Sequence, residues 1–265
     1  MSSGHVVRRV IMINGSPRIG GNTSKVLDLI GRELGSYGDV QVEVIHLKEL
    51  DLQLCRGCFT CISRGEQFCP LKDGREDLER RMLEADGIVL ASPLHVQNVS
   101  WMMKNFIDRF CYTNHRLRFF RQKVMLVAVG GMDLRTTLRA MRPALGGAQV
   151  VSELGFANLG WVQSPKAESK KLKRLRRETK VFHESLRSEG LPRPRVGDLV
   201  RFRFLRPISQ EVPEVFPADA AFYAERKDYY YETKVDPFTR AAAALLTRFI
   251  MFMSRDMGPY RGERS

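Results

Sequence analysis

Residues 8–24 read RRVIMINGSPRIGGNTS. A β-branched apolar run over Arg8–Asn14 gives way to a Gly/Ser/Pro turn, and apolar residues then recur at helical spacing over Asn22–Gly35. A short uninterrupted run suits a strand buried on both faces, and Asn22 or Thr23 stands where a helix cap belongs. The pattern repeats downstream. Residues 40–47, 87–91, 123–129 and 150–156 read as strands, and residues 76–84, 100–111, 133–145 and 166–187 as helices. Strands alternating with helices imply parallel pairing through right-handed crossovers, hence a doubly wound α/β sheet of five strands.

The chain has 265 residues, 43% hydrophobic and 28% charged, enough for one large domain or one domain with an appendage. The apolar run from Val10 to Ile13 is too short for a secretory core and leads straight into a turn, so a cytoplasmic chain is expected. In that compartment clustered thiols bind metal or do redox work rather than form disulfides. The net charge of +13 is unevenly placed, with fourteen Lys or Arg against five Asp or Glu in residues 164–206. KKLKRLRR (residues 170–177) puts its bases outside a helix whose inner face carries Leu172 and Leu175. It reads as a solvated amphipathic face, with attraction to an anionic membrane or a phosphorylated cosubstrate as alternatives. No nucleic-acid motif is present, so no specific nucleic-acid partner is expected.

From Gly190 the texture changes. LPRPRVGD reads as a linker, prolines interrupt the residues beyond it, and aromatics are dense in FYAERKDYYYE. The segment closes on FTRAAAALLTRFIMFMSR, where Phe238, Ala241, Leu245, Phe249 and Phe252 recur at helical spacing. Arg240 and Arg248 interrupt this run, which is shorter than the ~20 apolar residues of a membrane span. Residues 190–265 therefore read as an irregular extension ending in a helix. It would pack on the domain or cover a neighbouring subunit in a homodimer or higher assembly, with peripheral membrane contact less favoured.

The turn after the first strand, NGSPRIGGNTS, opens a helix at the strand ends where doubly wound sheets hold ligands. It offers hydroxyl and amide donors, glycines, one arginine and a helix N-terminus, which together suit a phosphate. It is neither a Walker loop nor G-x-G-x-x-G. The third strand ends in ASPLHVQNVSWMMKNFIDRF. GSPR-x3-NTS after the first strand, with SP-L-x3-N-x-S-x3-K-x-F-I-D-R after the third, resembles the flavodoxin-like NAD(P)H-dependent FMN reductases. The cysteines between them make it look like the iron–sulfur flavoprotein branch. The resemblance covers residue 8 to about residue 187. It implies strand order 2-1-3-4-5, an FMN-binding domain over residues 1–189, and an extension over 190–265 outside the family pattern.

The resemblance assigns the FMN phosphate to Ser16, Arg18, Asn22, Thr23 and Ser24. Ser92, Pro93, Leu94, His95, Val96 and Asn98 would wrap the ribityl chain and ring edge, and Gly130 and Gly131 would face the ring. His95 is the one ionisable side chain in that loop. Donation to flavin or substrate and an inert hydrogen-bonded role both stand, and relatives commonly carry an aromatic residue there.

Four of the five cysteines lie in CRGCFTCISRGEQFC (residues 55–69), spaced C-x2-C-x2-C-x7-C. Thiolates so spaced can hold an iron–sulfur cube, four thiolates also suit zinc, and a metal-free cysteine loop is the third reading. The resemblance favours a [4Fe–4S] cluster on Cys55, Cys58, Cys61 and Cys69. The gap of seven and the KDGRED beyond it depart from the common pattern. Cys111 reads as a small buried hydrophobe. The expected activity is an FMN oxidoreductase fed by NAD(P)H or a ferredoxin, its acceptor undetermined. A plain electron carrier and a membrane-peripheral flavin module are the rivals.

Overall fold

The computed structural model describes residues 6–157 and 164–253. In chain order the strands and helices are β1 (Arg8–Asn14), α1 (Asn22–Gly35), β2 (Val40–His46), α2 (Thr60–Ser63), α3 (Arg75–Glu84), β3 (Gly87–Pro93), α4 (Trp101–Arg109), β4 (Lys123–Gly130), α5 (Leu134–Met141), β5 (Gln149–Ala157), α6 (Pro165–Leu186), α7 (Val196–Glu211), α8 (Pro217–Ala224) and α9 (Pro237–Met253). They group into two compact units. The first comprises Met1–Gly57, Leu71–Asn114 and Phe119–Leu191, and the second Cys58–Pro70, His115–Arg118 and Pro192–Ser265.

The first unit holds one five-stranded sheet of order β2-β1-β3-β4-β5, all parallel: the flavodoxin-like arrangement. Its inner strands are buried on both faces, which is why they read as unbroken apolar runs. On one face Val10, Met12, Val89, Met125 and Val127 pack with Val26, Leu27 and Ile30 of α1 and with Leu175, Phe182 and Leu186 of α6. The alternate residues, among them Ile11, Ile88, Leu90 and Leu126, point to the other face and are equally buried. Each such large apolar side chain contributes about 1.5–3 kcal/mol by leaving water. Helix α6 buries Leu175 and leaves Lys170, Lys173, Arg174, Arg176 and Arg177 exposed, which is the solvated basic face that its periodicity implies.

Two side chains on α4 fix the segment between β2 and α2. Asn105 donates to the carbonyls of Leu52 and Gln53 at 3.3 and 3.2 Å. Arg109, one turn on, donates to Gln53 O at 2.7 Å and pairs with Asp73, at 2.8 Å from Nη2 to Oδ1. Both charges are buried. Asp73 also accepts from the amides of Gln53 (2.8 Å) and Arg75 (3.2 Å), so its oxygens are fully used.

The second unit is more regular than the sequence suggests. Helices α7 and α8 precede the expected terminal helix, and α7 runs through Pro207. Phe202 packs edge-on against Tyr223 and Tyr230 at 5.4 and 5.2 Å, and these rings form the core of the unit. Helix α9 buries Ala243, while Phe238, Leu245, Phe249 and Phe252 are exposed. No described helix is long and apolar enough to cross a membrane.

Burial pushes the Asp73 carboxyl up, but the hydrogen bond from Arg109 and the amide bonds outweigh it and hold the group below the usual carboxylate range. A depressed folded-state pKa contributes stability above the unfolded value, near pH 3.9, which is lost as pH falls through the folded value. Asp73→Asn should therefore cost about 3 kcal/mol at neutral pH. It should also flatten the acid limb of stability against pH, measured by urea denaturation from pH 2 to pH 7.

Candidate functional site

The C-terminal ends of β1, β3 and β4 carry three loops that the sequence singles out. The first is shaped by Asn14, a fully buried amide at the end of β1. Its Nδ2 donates to Ser24 Oγ at 3.0 Å and lies 3.1 Å from His46 Nδ1, and its Oδ1 accepts from the Ser16 amide at 2.9 Å. Ser24 Oγ also accepts from the Gly20 amide at 3.2 Å, and Ser16 Oγ accepts from the Arg18 amide at 3.2 Å. The loop is thus held from inside. Gly15 is required by close packing, because a Cβ there would stand 2.9 Å from Met103 Cβ.

Neither Asn22 nor Thr23 caps α1. The cap position is Gly21, which has no side chain to cap the first amides, and no acidic residue lies in the first turn. The first amides of the helix are therefore available, and its positive end is not neutralised. Arg18 and Asn22 are exposed beside them, whereas Ser16, Thr23 and Ser24 are buried.

The second loop is a tight turn. His95 and Asn98 exchange both backbone hydrogen bonds at 2.9 Å, leaving Val96 and Gln97 at the tip with φ of 45° and 58°. Two left-handed residues define a type I′ turn, which favours Asn-Gly; a β-branched valine there is strained. Val96 is 99% exposed. The base of the loop is firm: Ser92 Oγ accepts from the Ser100 amide at 3.0 Å, Ser100 caps α4 through the Met103 amide at 3.1 Å, and Ser100 Oγ donates to Gly15 O. The Leu94 amide donates to Val129 O at 2.8 Å, and Thr137 Oγ1 donates to Asn98 O at 3.2 Å. His95 is exposed.

The third loop begins at Gly130 and Gly131. A Cβ on Gly130 would lie 2.7 Å from Leu94 Cβ, so glycine lets the second and third loops approach. Met132 is 81% and Trp101 59% exposed. With Val96 they give the strand-end edge of the sheet an apolar rim beside a polar, anion-ready loop. A ligand with a phosphate at one end and a flat apolar body at the other matches that division.

A family model for NADPH-dependent FMN reductase matches residues 8–160. The chain belongs to that family. Among curated proteins it is 41% identical over 108 residues to an iron-sulfur flavoprotein of Archaeoglobus fulgidus, spanning 41% of this chain and 48% of the relative. It is 37% identical over 101 residues to one of Methanocaldococcus jannaschii, spanning 38% and 51%. The chain thus spans about half the length of these relatives. Among solved structures, an NAD(P)H:quinone oxidoreductase of Methanothermobacter marburgensis superposes with a TM-score of 0.51 at 17% identity, over 66% of this chain and 98% of that one. An oxidoreductase of Corynebacterium diphtheriae gives 0.51 at 15%, over 69% and 99%. These two show the fold that FMN reductases share with them.

The cysteines divide between the two units. In the first, the Cys55 amide donates to Asn105 Oδ1 at 2.9 Å. In the second, Cys58 is exposed and Cys61 and Cys69 are half-buried. Hydrogen bonds from the Thr60 side chain and backbone hold the Cys58 thiol below its ordinary range. Cys111 is half-buried rather than fully so, and no disulfide joins any of the five cysteines. Among the described residues no three His, Cys, Asp or Glu side chains are gathered to hold a metal ion, so a preformed metal site is not present.

Asn14, Ser100 and Asn105 escaped the sequence reading. Each is a polar residue at the end or on the buried face of an apolar element, the one signal available for them. The strained turn should yield to its preferred chemistry: Val96→Asn should stabilise the flavin-free protein by about 1 kcal/mol in denaturant titration.

Proposed function

We propose that this FMN reductase family member is an FMN-dependent oxidoreductase that passes electrons from NAD(P)H, or from a ferredoxin, to an acceptor that the site does not identify. The uncapped, acid-free start of α1 beside the exposed apolar rim carries the reading. The FMN phosphate would rest on the amides of Asn22, Thr23 and Ser24, with Arg18 supplying charge and Ser16 shaping the loop. Ser92, Pro93, Leu94, His95, Val96 and Asn98 would line the ribityl chain and ring edge, and Gly130 and Gly131 would approach the ring. Bound FMN supplies exchange between two-electron and one-electron chemistry. The chain would hold the group in place, with the apolar side chains of Val96, Trp101 and Met132 available to cover part of it. His95, exposed in the second loop, would be a candidate to exchange a proton at the rim.

Four thiols within fifteen residues, and the iron–sulfur flavoprotein name of the relatives, support a [4Fe–4S] cluster on Cys55, Cys58, Cys61 and Cys69. Among the described residues the side chains are not gathered for it in this structure. Iron and acid-labile sulfide assays on anaerobically purified protein decide the matter: about four irons per chain support the cluster. Zinc or no metal would reject it and leave a plain flavin reductase. The exposed apolar face of α9 supports a homodimer or higher assembly, which light scattering of the full chain tests.

Flavin released by heating should be FMN and not FAD, since the loop between β1 and α1 would supply a cradle for a single phosphate. Arg18→Ala should weaken FMN binding by about tenfold or more, a charge-assisted contact being worth roughly 1.5–3 kcal/mol. Fluorescence titration of flavin-free protein measures this, and full retention of affinity would remove the assignment. A flavin that neither NAD(P)H nor reduced ferredoxin bleaches anaerobically would defeat the proposed electron path.

A further inference from the structure

The loop carrying Cys58, Cys61 and Cys69 is built into the second unit by one buried arginine. Helix α2 has four residues, too few to stand on its own hydrogen bonds. Its Thr60 carbonyl accepts from the amides of Arg64 and Gly65, and the carbonyls of Cys61 and Ile62 at its end take donors from outside the helix. Arg116, 3% exposed, supplies both donors: Nη1 to Ile62 O at 3.1 Å and Nη2 to Cys61 O. A cation at the C-terminal end of a helix is also the favoured sign.

The guanidinium is held in turn. Nη2 pairs with Glu66 Oε2 at 2.9 Å, and Arg118 takes the other oxygen of Glu66 at 2.7 Å. Burial pushes Glu66 up, but Arg118 and Arg116 outweigh it and keep the carboxyl below its usual range. On the opposite side Nη1 pairs with Asp219 of α8, 2% exposed, whose second oxygen lies 2.8 Å from His115 Nδ1. Tyr223, one turn further along α8, donates its hydroxyl to His115 O at 2.6 Å. Asp219 and Tyr223 lie outside residues 8–160, the stretch matched to the family.

We infer that the C-terminal segment, through Asp219 acting on Arg116, is the positioning device of the cysteine loop: it fixes the peptides on either side of Ile62 and so sets the placement of the Cys61 thiol. This goes beyond the flavin reading and concerns the thiols whether or not they take up iron. Asp219 and Arg116 are positioning residues that touch no reacting atom.

The test uses the full chain, reduced and freed of metal with a chelator, and measures alkylation of each cysteine by iodoacetamide with mass-spectrometric readout. Arg116→Met should raise the labelling rate of Cys61 by about tenfold, the worth of the lost carbonyl contacts, and leave Cys55 within about twofold. The double variant Arg116→Met with Asp219→Leu removes both charges and should recover part of the lost melting temperature, since apolar groups can replace a buried pair while Glu66 keeps Arg118. Cys61 labelling should nevertheless stay high in it, because neither substitution restores the Arg116 donors to the two carbonyls. Should Arg116→Met not fold, the double variant alone carries the comparison with the wild type. Cys61 labelling that returns to the wild-type rate in the double variant would overturn the inference. So would equal acceleration at Cys55 and Cys61, which would mark general loosening.

Discussion

One buried side chain amide, that of Asn14, settles the geometry on which the strand-end edge depends. It lies at the last position of β1, between the partners β2 and β3, and is fully enclosed. A buried amide must find partners or cost several kcal/mol. Asn14 finds them in the start of α1 (Ser24), the end of β2 (His46) and the turn it precedes (Ser16). Three segments separated in sequence thus share one set of hydrogen bonds, and the loop between β1 and α1 has little freedom at its base. Ser100 does the equivalent work on the next loop, capping α4 while reaching the carbonyl of Gly15. The two loops are therefore locked to each other, and α1 keeps its first amides free because the loop is held by side chains other than a cap.

Much of the first unit was legible because burial on both faces leaves a strong sequence trace. The runs of β1, β3 and β4 are apolar through their middles, and the five strands, their order and the flanking helices follow from them and from the family resemblance. Ends were less legible. The cap of α1 is Gly21 rather than Asn22 or Thr23, since the loop needs Ser24 and Gly20 for its own closure. Helix α7 was hidden: Pro207 reads as a breaker, and RFRFLR places arginine and phenylalanine at a spacing that mimics a strand. Yet Phe202 is buried against Tyr223 and Tyr230, and tertiary packing overrides the local signal.

The cysteine loop shows the same limit in sharper form. Its spacing is a strong chemical signal, but spacing says nothing about what holds the backbone between the thiols. In the structure Cys58–Pro70 and His115–Arg118 group with the C-terminal segment, although both lie within the stretch matched to the family. The reason is local weakness. A single turn of helix, a left-handed Phe59 and a glycine with φ of 121° at Gly65 close only short-range hydrogen bonds, and the donors of Arg116 join them to the rest of the unit. A buried arginine with two carboxylate partners is an expensive way to supply those donors, because each charge must be fully matched. Here the match is complete: every oxygen of Asp219 and Glu66 meets a histidine or an arginine.

The rim of the candidate site runs against ordinary surface design. Val96, Trp101 and Met132 leave large apolar surfaces in water, and Val96 does so from a backbone conformation that a β-branched residue adopts at a cost of about 1–3 kcal/mol. The bases of the same loops are fully hydrogen-bonded, so the strain is not a sign of poor packing; it is concentrated at the tips. A flat apolar ligand covering those three side chains regains about 25 cal/mol for each Å² it removes from water. A covered area of roughly 100 Å² returns about 2.5 kcal/mol, comparable with the strain of the turn. The exposed rim and the strained turn thus fit one physical account, the proposed site in which a flat ring would lie on the strand-end edge.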